Sequence, residues 1–125
     1  MMLENSEHSE RRRYSRLDMD HKILLYMSPV NEEIFCEIKD ISETGICFRA
    51  SKKHAKKENF VLNDEFWFQY VDVFKFGTGN ETKIIDEQCK IIRVDESDKY
   101  FDIGCSIYSK KFAAYVKKRK LVVYL

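Results

Sequence analysis

The stretch "EIFCEIKDISETGICFRA", residues 33–50, alternates, breaks and alternates again. In "EIFCEIKDI" (33–41), Ile34, Cys36 and Ile38 fall on one side, and Phe35, Glu37 and Lys39 on the other. Side chains of an extended strand point to opposite faces in turn, so this is the period of a half-buried strand. "SETG" (42–45) interrupts the period, and "ICFRA" (46–50) resumes it. Two short strands around a tight glycine-containing turn predict a β-hairpin.

The same pattern continues on both sides. "KILLYM" (22–27) reads as a strand stopped by "SPVNEE", where Pro29 and Asn31 favour a turn. "SKKHAKKENF" (51–60) has four lysines and no β-branched residue, and reads as a surface loop or short helix. "DEFWFQYVDVFKF" (64–76) is aromatic and β-branched, hence a strand. "GTGN" (77–80) turns it into "TKIIDEQCKIIRV" (82–94), whose imperfect alternation predicts a bulge or a change of exposed face. "YFDIGCSIY" (100–108) puts Phe101, Ile103, Cys105 and Ile107 on one side. Then Ser109 can cap a helix over 109–120 whose buried face is Phe112, Tyr115, Val116 and Arg119. The apolar end "LVVYL" (121–125) is open between a terminal strand, a dimer contact and a frayed end. Six strands with short turns and no intervening helix predict a mainly all-β chain: a six-stranded antiparallel β-barrel over 22–108 with a C-terminal α-helix.

The chain has 125 residues, 44% of them hydrophobic and 14% aromatic, enough for one core. The expected organisation is a mobile tail at 1–9 and one domain over 10–125. A net charge of +1 gives no general argument for nucleic acid, so any anion site must come from a local cluster. The acidic start is no secretion signal, and no apolar run is long enough to span a membrane. A cytoplasmic location is therefore expected, with Cys36, Cys47, Cys89 and Cys105 reduced and partly buried.

The chemistry of catalysis is hard to find here. His8, His21 and His54 stand apart from any serine or cysteine in a nucleophile setting. Zinc pairs of the C-x-x-C kind, H-E-x-x-H, a P-loop and G-x-G-x-x-G do not occur. The carboxylates alternate along strands and read as solvated. Phe66, Trp67, Phe68 and Tyr70 read as core and barrel surface rather than a base-stacking platform. The six Lys and Arg residues at 110–120 read as a solvated face, with contact to an acidic partner or an anionic membrane surface as the other reading. No enzyme activity and no metal are expected.

One charge cluster stands out. "ERRRYSRLD" (10–18) puts Arg11, Arg12, Arg13 and Arg16 just before the first strand. Such a crowd is either a solvated tail or a site for an anion. Arg12 and Arg16 form R-x-x-x-R, and Asp40, Ser42 and Gly45 form D-x-S-x-x-G in the hairpin. The ordered pair of motifs, with the six strands and the terminal helix, resembles the PilZ domain family over residues 10 to about 118. The resemblance implies a receptor for the bacterial second messenger cyclic di-GMP, bound by Arg11, Arg12, Arg16, Asp40, Ser42 and Gly45. It also implies that Arg11, before the first motif arginine, favours an intercalated pair of ligands.

The residue types suit that ligand. A guanidinium bonds phosphate bidentately, matches the O6/N7 edge of guanine and stacks on its face. A carboxylate such as Asp40 accepts from the N1–H and N2–H edge, Ser42 can donate, and Gly45 permits close approach. On this reading the arm 10–18 orders when ligand binds and signals to a separate, unidentified protein. Two alternatives stand beside it: a module of the same fold that binds no nucleotide and works by protein contacts, and a barrel that binds single-stranded nucleic acid. The bland reading of Asp40, Ser42 and Gly45 is a plain Asx or Ser turn.

Overall fold

The computed structural model describes residues 15–19, 22–27 and 32–123. The tail at 1–9, Arg11, Arg12 and Arg13, His21 and the turn expected at Pro29 and Asn31 lie outside the described residues. The strands are β1 (Leu17–Asp18), β2 (Ile23–Met27), β3 (Glu33–Ser42), β4 (Gly45–Ser51), β5 (Glu65–Phe76), β6 (Gly79–Glu96) and β7 (Tyr100–Ser106), followed by helix α1 (Lys110–Val123). A 3-10 turn at Lys57–Asn59 sits in the lysine-rich loop.

The strands run in the order β1-β3-β2-β5-β6-β7-β4, and β4 pairs back onto β3. Six strands thus close an antiparallel ring, the barrel that the alternation predicts. β1 takes up the part of the β3 edge that β2 leaves, through Leu17–Ile41 and Asp18–Asp40. The sequence places these two residues in the arm, because a two-residue pairing carries no visible period.

Inward residues fill the ring. Tyr26, Phe48, Phe60 and Phe66 meet at tilted and edge-on angles, with centroids 4.4–6.3 Å apart. Such offset geometry suits the ring quadrupoles and adds to the area buried. Phe66, Phe68 and Tyr70 are core, whereas Trp67, on the other parity of β5, is exposed. The β5–β6 turn is shorter than expected: Gly79 and Asn80 already belong to β6, and Gly77 takes the positive φ of 65° that the turn needs. All four cysteines are free and buried.

Two β-bulges shape the wall. In β3 the register with β4 shifts between Ile38 and Asp40, and in β6 the register with β7 shifts between Ile91 and Arg93. Ile38 and Ile41 stay buried while Lys39 and Asp40 between them are both partly exposed. Ile91 likewise stays buried while Ile92 and Arg93 are both exposed. An extra residue re-aims its neighbours without moving the core out of register.

Helix α1 begins as expected, with the Phe112 N–H donating to the Ser109 Oγ at 3.1 Å. Phe112, Tyr115 and Val116 are buried. The helix runs on to Val123, so the first part of "LVVYL" is neither a strand nor frayed coil; 124–125 lie outside the described residues. Its anchor is a buried carboxylate, against the expectation that the strand carboxylates are solvated. Asp72 shares the inward parity of Tyr70 and Phe74 and is fully buried. Its Oδ2 accepts from the Tyr115 hydroxyl at 2.7 Å and from Arg119 Nε at 2.9 Å, and Lys22 Nζ stands 3.3 Å from Oδ1. The Tyr115 and Tyr70 hydroxyls are 3.0 Å apart. A buried charge needs partners of this kind, and here they tie helix, β5 and the start of β2 together.

Candidate ligand-binding site

The β3 bulge turns Asp40 outward, and the pairing pattern carries its row across four strands. Asp40 faces Cys47 on β4, Cys47 faces Gly104 on β7, and Gly104 faces Arg93 on β6. Directly paired residues share a face, so these four make one strip of outer wall. Its floor is low at Gly104. The Arg93 side chain lies across that glycine, 3.4 Å from where a Cβ would stand. Arg93 also donates to the Cys47 sulfur at 3.6 Å and pairs with Asp95 at 3.0 Å.

From the other side Arg16 reaches the same strip. Its NH1 donates to Asp40 Oδ1 at 2.9 Å, with both side chains partly exposed. The two sequence motifs, 24 residues apart, therefore meet in space. The Cys47 thiol reports the local field. Burial and the Asp40 charge push it up from its ordinary value, while Arg93, Lys39 and Arg16 pull it down. Arg16, Lys39 and Arg93 thus gather around Cys47 beside Asp40, while Asp18 of β1 stands directly across from Asp40. Lys39 in turn lies 3.7 Å from Asp102, which binds Arg49 through both carboxylate oxygens at 2.8 and 3.2 Å. That fork holds the Asp102 carboxyl below its usual range, so Asp102 stays ionised beside the strip.

Ser42 and Gly45 pair with each other across the two-residue turn Glu43–Thr44, and both are buried. Gly45 has a reason to be glycine that needs no ligand. A Cβ there would stand 2.7 Å from the Cys105 carbonyl oxygen, a backbone atom with no freedom to yield. Within the same turn Glu43 is buried and pairs with Lys120 of α1 at 2.5 Å. Lys120 Nζ also donates to the Ser15 carbonyl at 2.7 Å and lies 3.2 Å from its Oγ. The last turns of the helix, the motif turn and the residue before Arg16 therefore meet at one ammonium group.

Of the expected site residues, Arg16 and Asp40 are in contact, with Ser42 and Gly45 in the adjoining turn. Arg11 and Arg12 lie outside the described residues. Arg93, Lys39, Glu43 and Lys120 stand beside these residues without any motif that marks them. Arg93 and Lys39 owe their direction to bulges, and Lys120 was one lysine among several on a basic helix. A groove of about 560 Å³ elsewhere on the wall includes Ser106, the partner of Gly45, but Glu65, Asp86 and Glu87 line it. Three carboxylates against the single base Lys90 disfavour a phosphate there, whereas Arg16, Lys39 and Arg93 gather at the Asp40 strip.

The fold has solved counterparts. The PilZ domain of YcgR from Escherichia coli with c-di-GMP aligns at TM-score 0.65 and 14% identity, over 92% of this chain and 91% of that one. The MrkH–c-di-GMP complex of K. pneumonia aligns at 0.64 and 16%, over 91% and 52%. The inhibitor of motility MotI/DgrA of Bacillus subtilis aligns at 0.61 and 18%, over 89% and 52%. The chain thus spans about half the length of the last two. No curated protein matches the sequence. Residues 10–117 match the PilZ domain model, and the chain belongs to the PilZ domain family.

Proposed function

We propose that this protein is a receptor for cyclic di-GMP and not an enzyme. The observation that carries the reading is the Arg16–Asp40 contact, which joins R-x-x-x-R to D-x-S-x-x-G on an outward strip that Arg93 also crosses. The two solved PilZ proteins with c-di-GMP support the ligand class.

In this reading Arg16 exchanges its bond with Asp40 for a ligand phosphate, or shares the two. Asp40 then accepts from the guanine edge, as a paired-donor acceptor does. Arg11 and Arg12 close over the ligand from the residues before Ser15, and Arg11 favours a stacked pair. Arg93 meets the ligand from the far end of the strip. Residues 15–18 have partners on β3 and α1. The ordered arm and ligand form a new surface for a separate protein.

The test is isothermal titration with cyclic di-GMP, with GMP as control and Arg16→Ala as the variant. We expect binding at micromolar ligand or tighter, a measured stoichiometry, and at least about 100-fold weaker binding in the variant. Arg16→Ala should leave the fold intact, because an exposed pair contributes about 1 kcal/mol or less. No heat with cyclic di-GMP, or a variant that unfolds, would overturn the reading.

A further inference from the structure

The outer face of β3, β2, β5 and β6 is apolar where a solvated wall is expected. Phe35, Ile23, Trp67, Val71, Val73 and Ile84 all point outward, with Ile84 72% and Phe35 66% exposed. The pairing pattern makes them contiguous: Phe35 faces Leu25, Met27 faces Trp67, and Val71 faces Ile84. Scattered exposed hydrophobics need no explanation, but a continuous patch on one sheet face marks a contact surface. Aromatics and methionine, both present, are the residues enriched at such surfaces.

The chemistry of the rim narrows the occupant. A groove of about 470 Å³ on this face is lined by Leu25, Met27 and Trp67 and flanked by the carboxylates of Glu33 and Asp86. Glu65 and Glu37 lie on the same face but are answered by the bases directly opposite them, Lys90 and Arg49, and Lys75 stands at one end, so Glu33 and Asp86 beside the groove are the carboxylates that set its charge. An acidic rim repels an anionic membrane and attracts a cationic partner. β2 and β5 are each paired on both sides, so a bound peptide has no free edge here for strand addition. A helix laid on the sheet covers such a face without a free edge, whereas the same wall of a second copy would bring Glu33 and Asp86 against their own like charges. The chain's own basic helix is no candidate from a second copy, because Phe112, Tyr115 and Val116 are buried in its own protomer.

We propose that this face docks an amphipathic helix of another protein, with an apolar stripe flanked by lysine or arginine. The surface is distinct from the Asp40 strip, and the inference does not depend on the nucleotide reading.

Trp67 is the one tryptophan of the chain, and it lies in the patch, so its emission reports occupancy directly. The probes are two idealised helical peptides of about 18 residues, one of Leu and Lys and one of Leu and Glu, titrated without nucleotide. The Leu/Lys peptide should blue-shift and saturate the Trp67 emission, bind at least about 10-fold tighter than the Leu/Glu peptide, and weaken as salt is raised. Glu33→Lys with Asp86→Lys should reverse that preference, and Val71→Ser with Ile84→Ser should weaken both peptides. If a variant fails to fold, the charge and salt comparison on the unaltered chain decides alone. Equal binding of the two peptides, or binding unchanged by salt, would overturn the proposal. So would a concentration-dependent dimer that shifts Trp67 by itself, or a shift produced by phosphatidylserine vesicles and by neither peptide.

Discussion

Gly45→Ala separates two reasons for a glycine in the D-x-S-x-x-G turn. If its role is only to let a ligand approach, alanine should cost affinity and leave stability alone. The structure gives a different expectation. The new Cβ would stand 2.7 Å from the Cys105 carbonyl oxygen, where ordinary contact begins at 3.4 Å, so the β4–β7 seam must open by about 0.7 Å. Overpacking of this kind costs about 1–3 kcal/mol, offset by about 0.4–1 kcal/mol from the stiffer unfolded chain. From the middle of both ranges the net loss is about 1.3 kcal/mol, within limits of about 0–2.6 kcal/mol, or a fall in Tm of about 5 °C for a chain of this size. Thermal and urea unfolding of the unliganded protein, with an unchanged urea slope, measures it. A variant as stable as the parent that has lost cyclic di-GMP binding would refute the steric argument.

Asp72→Ala should destabilise the chain by about 3–5 kcal/mol, because it leaves Arg119, Lys22 and the Tyr115 hydroxyl without their shared acceptor. Urea unfolding reads the loss, and a value below about 1 kcal/mol would contradict the anchoring role. Stability should fall as pH rises above about 9. Burial pushes the Cys36 thiol from 9.0 up to about 12 and raises the Tyr70 and Tyr115 hydroxyls as well. The folded state keeps protons that the unfolded chain releases, so this contribution is complete below the ordinary values and is lost on passing the raised ones. Melts from pH 8 to 11 that show no decline would exclude it. Arg93→Ala should weaken cyclic di-GMP binding about 5–30-fold with little change in Tm, since its protein partners are an exposed carboxylate and a thiol. Equal affinity by titration would remove Arg93 from the site.

The ring was legible because both of its periods are local. Ile34, Cys36 and Ile38 on β3, and Phe101, Ile103 and Cys105 on β7, declare their faces without knowledge of the partner strand. Arg16 and Asp40 were legible through motif order. What escaped depends on distant events. Lys39 and Arg93 face the strip because one residue bulges in each strand, and a bulge in sequence looks only like imperfect alternation. Asp72 could have been found, since it shares the parity of Phe66, Phe68, Tyr70 and Phe74. Its partners lie more than forty residues away on a helix, so its burial was not evident beforehand. Lys120 meets Ser15 across almost the whole chain, and no local pattern encodes that contact.

A closed ring has no terminal strand to peel away. An open sheet can fray from its edge one strand at a time, but this one must part a seam and expose two raw edges together. Among the described residues the seam between β2 and β5 is held at Leu25–Gln69, Tyr26–Phe68 and Met27–Trp67, whereas β5 and β6 pair along the whole of Glu65–Phe76. The short seam is where amide hydrogen exchange of the wall should begin, in an opening that unpairs both strands at once. Trp67 and Met27 sit on it from outside and Tyr26 and Phe68 from within, so side-chain packing, more than backbone pairing, keeps the ring shut at its narrowest join.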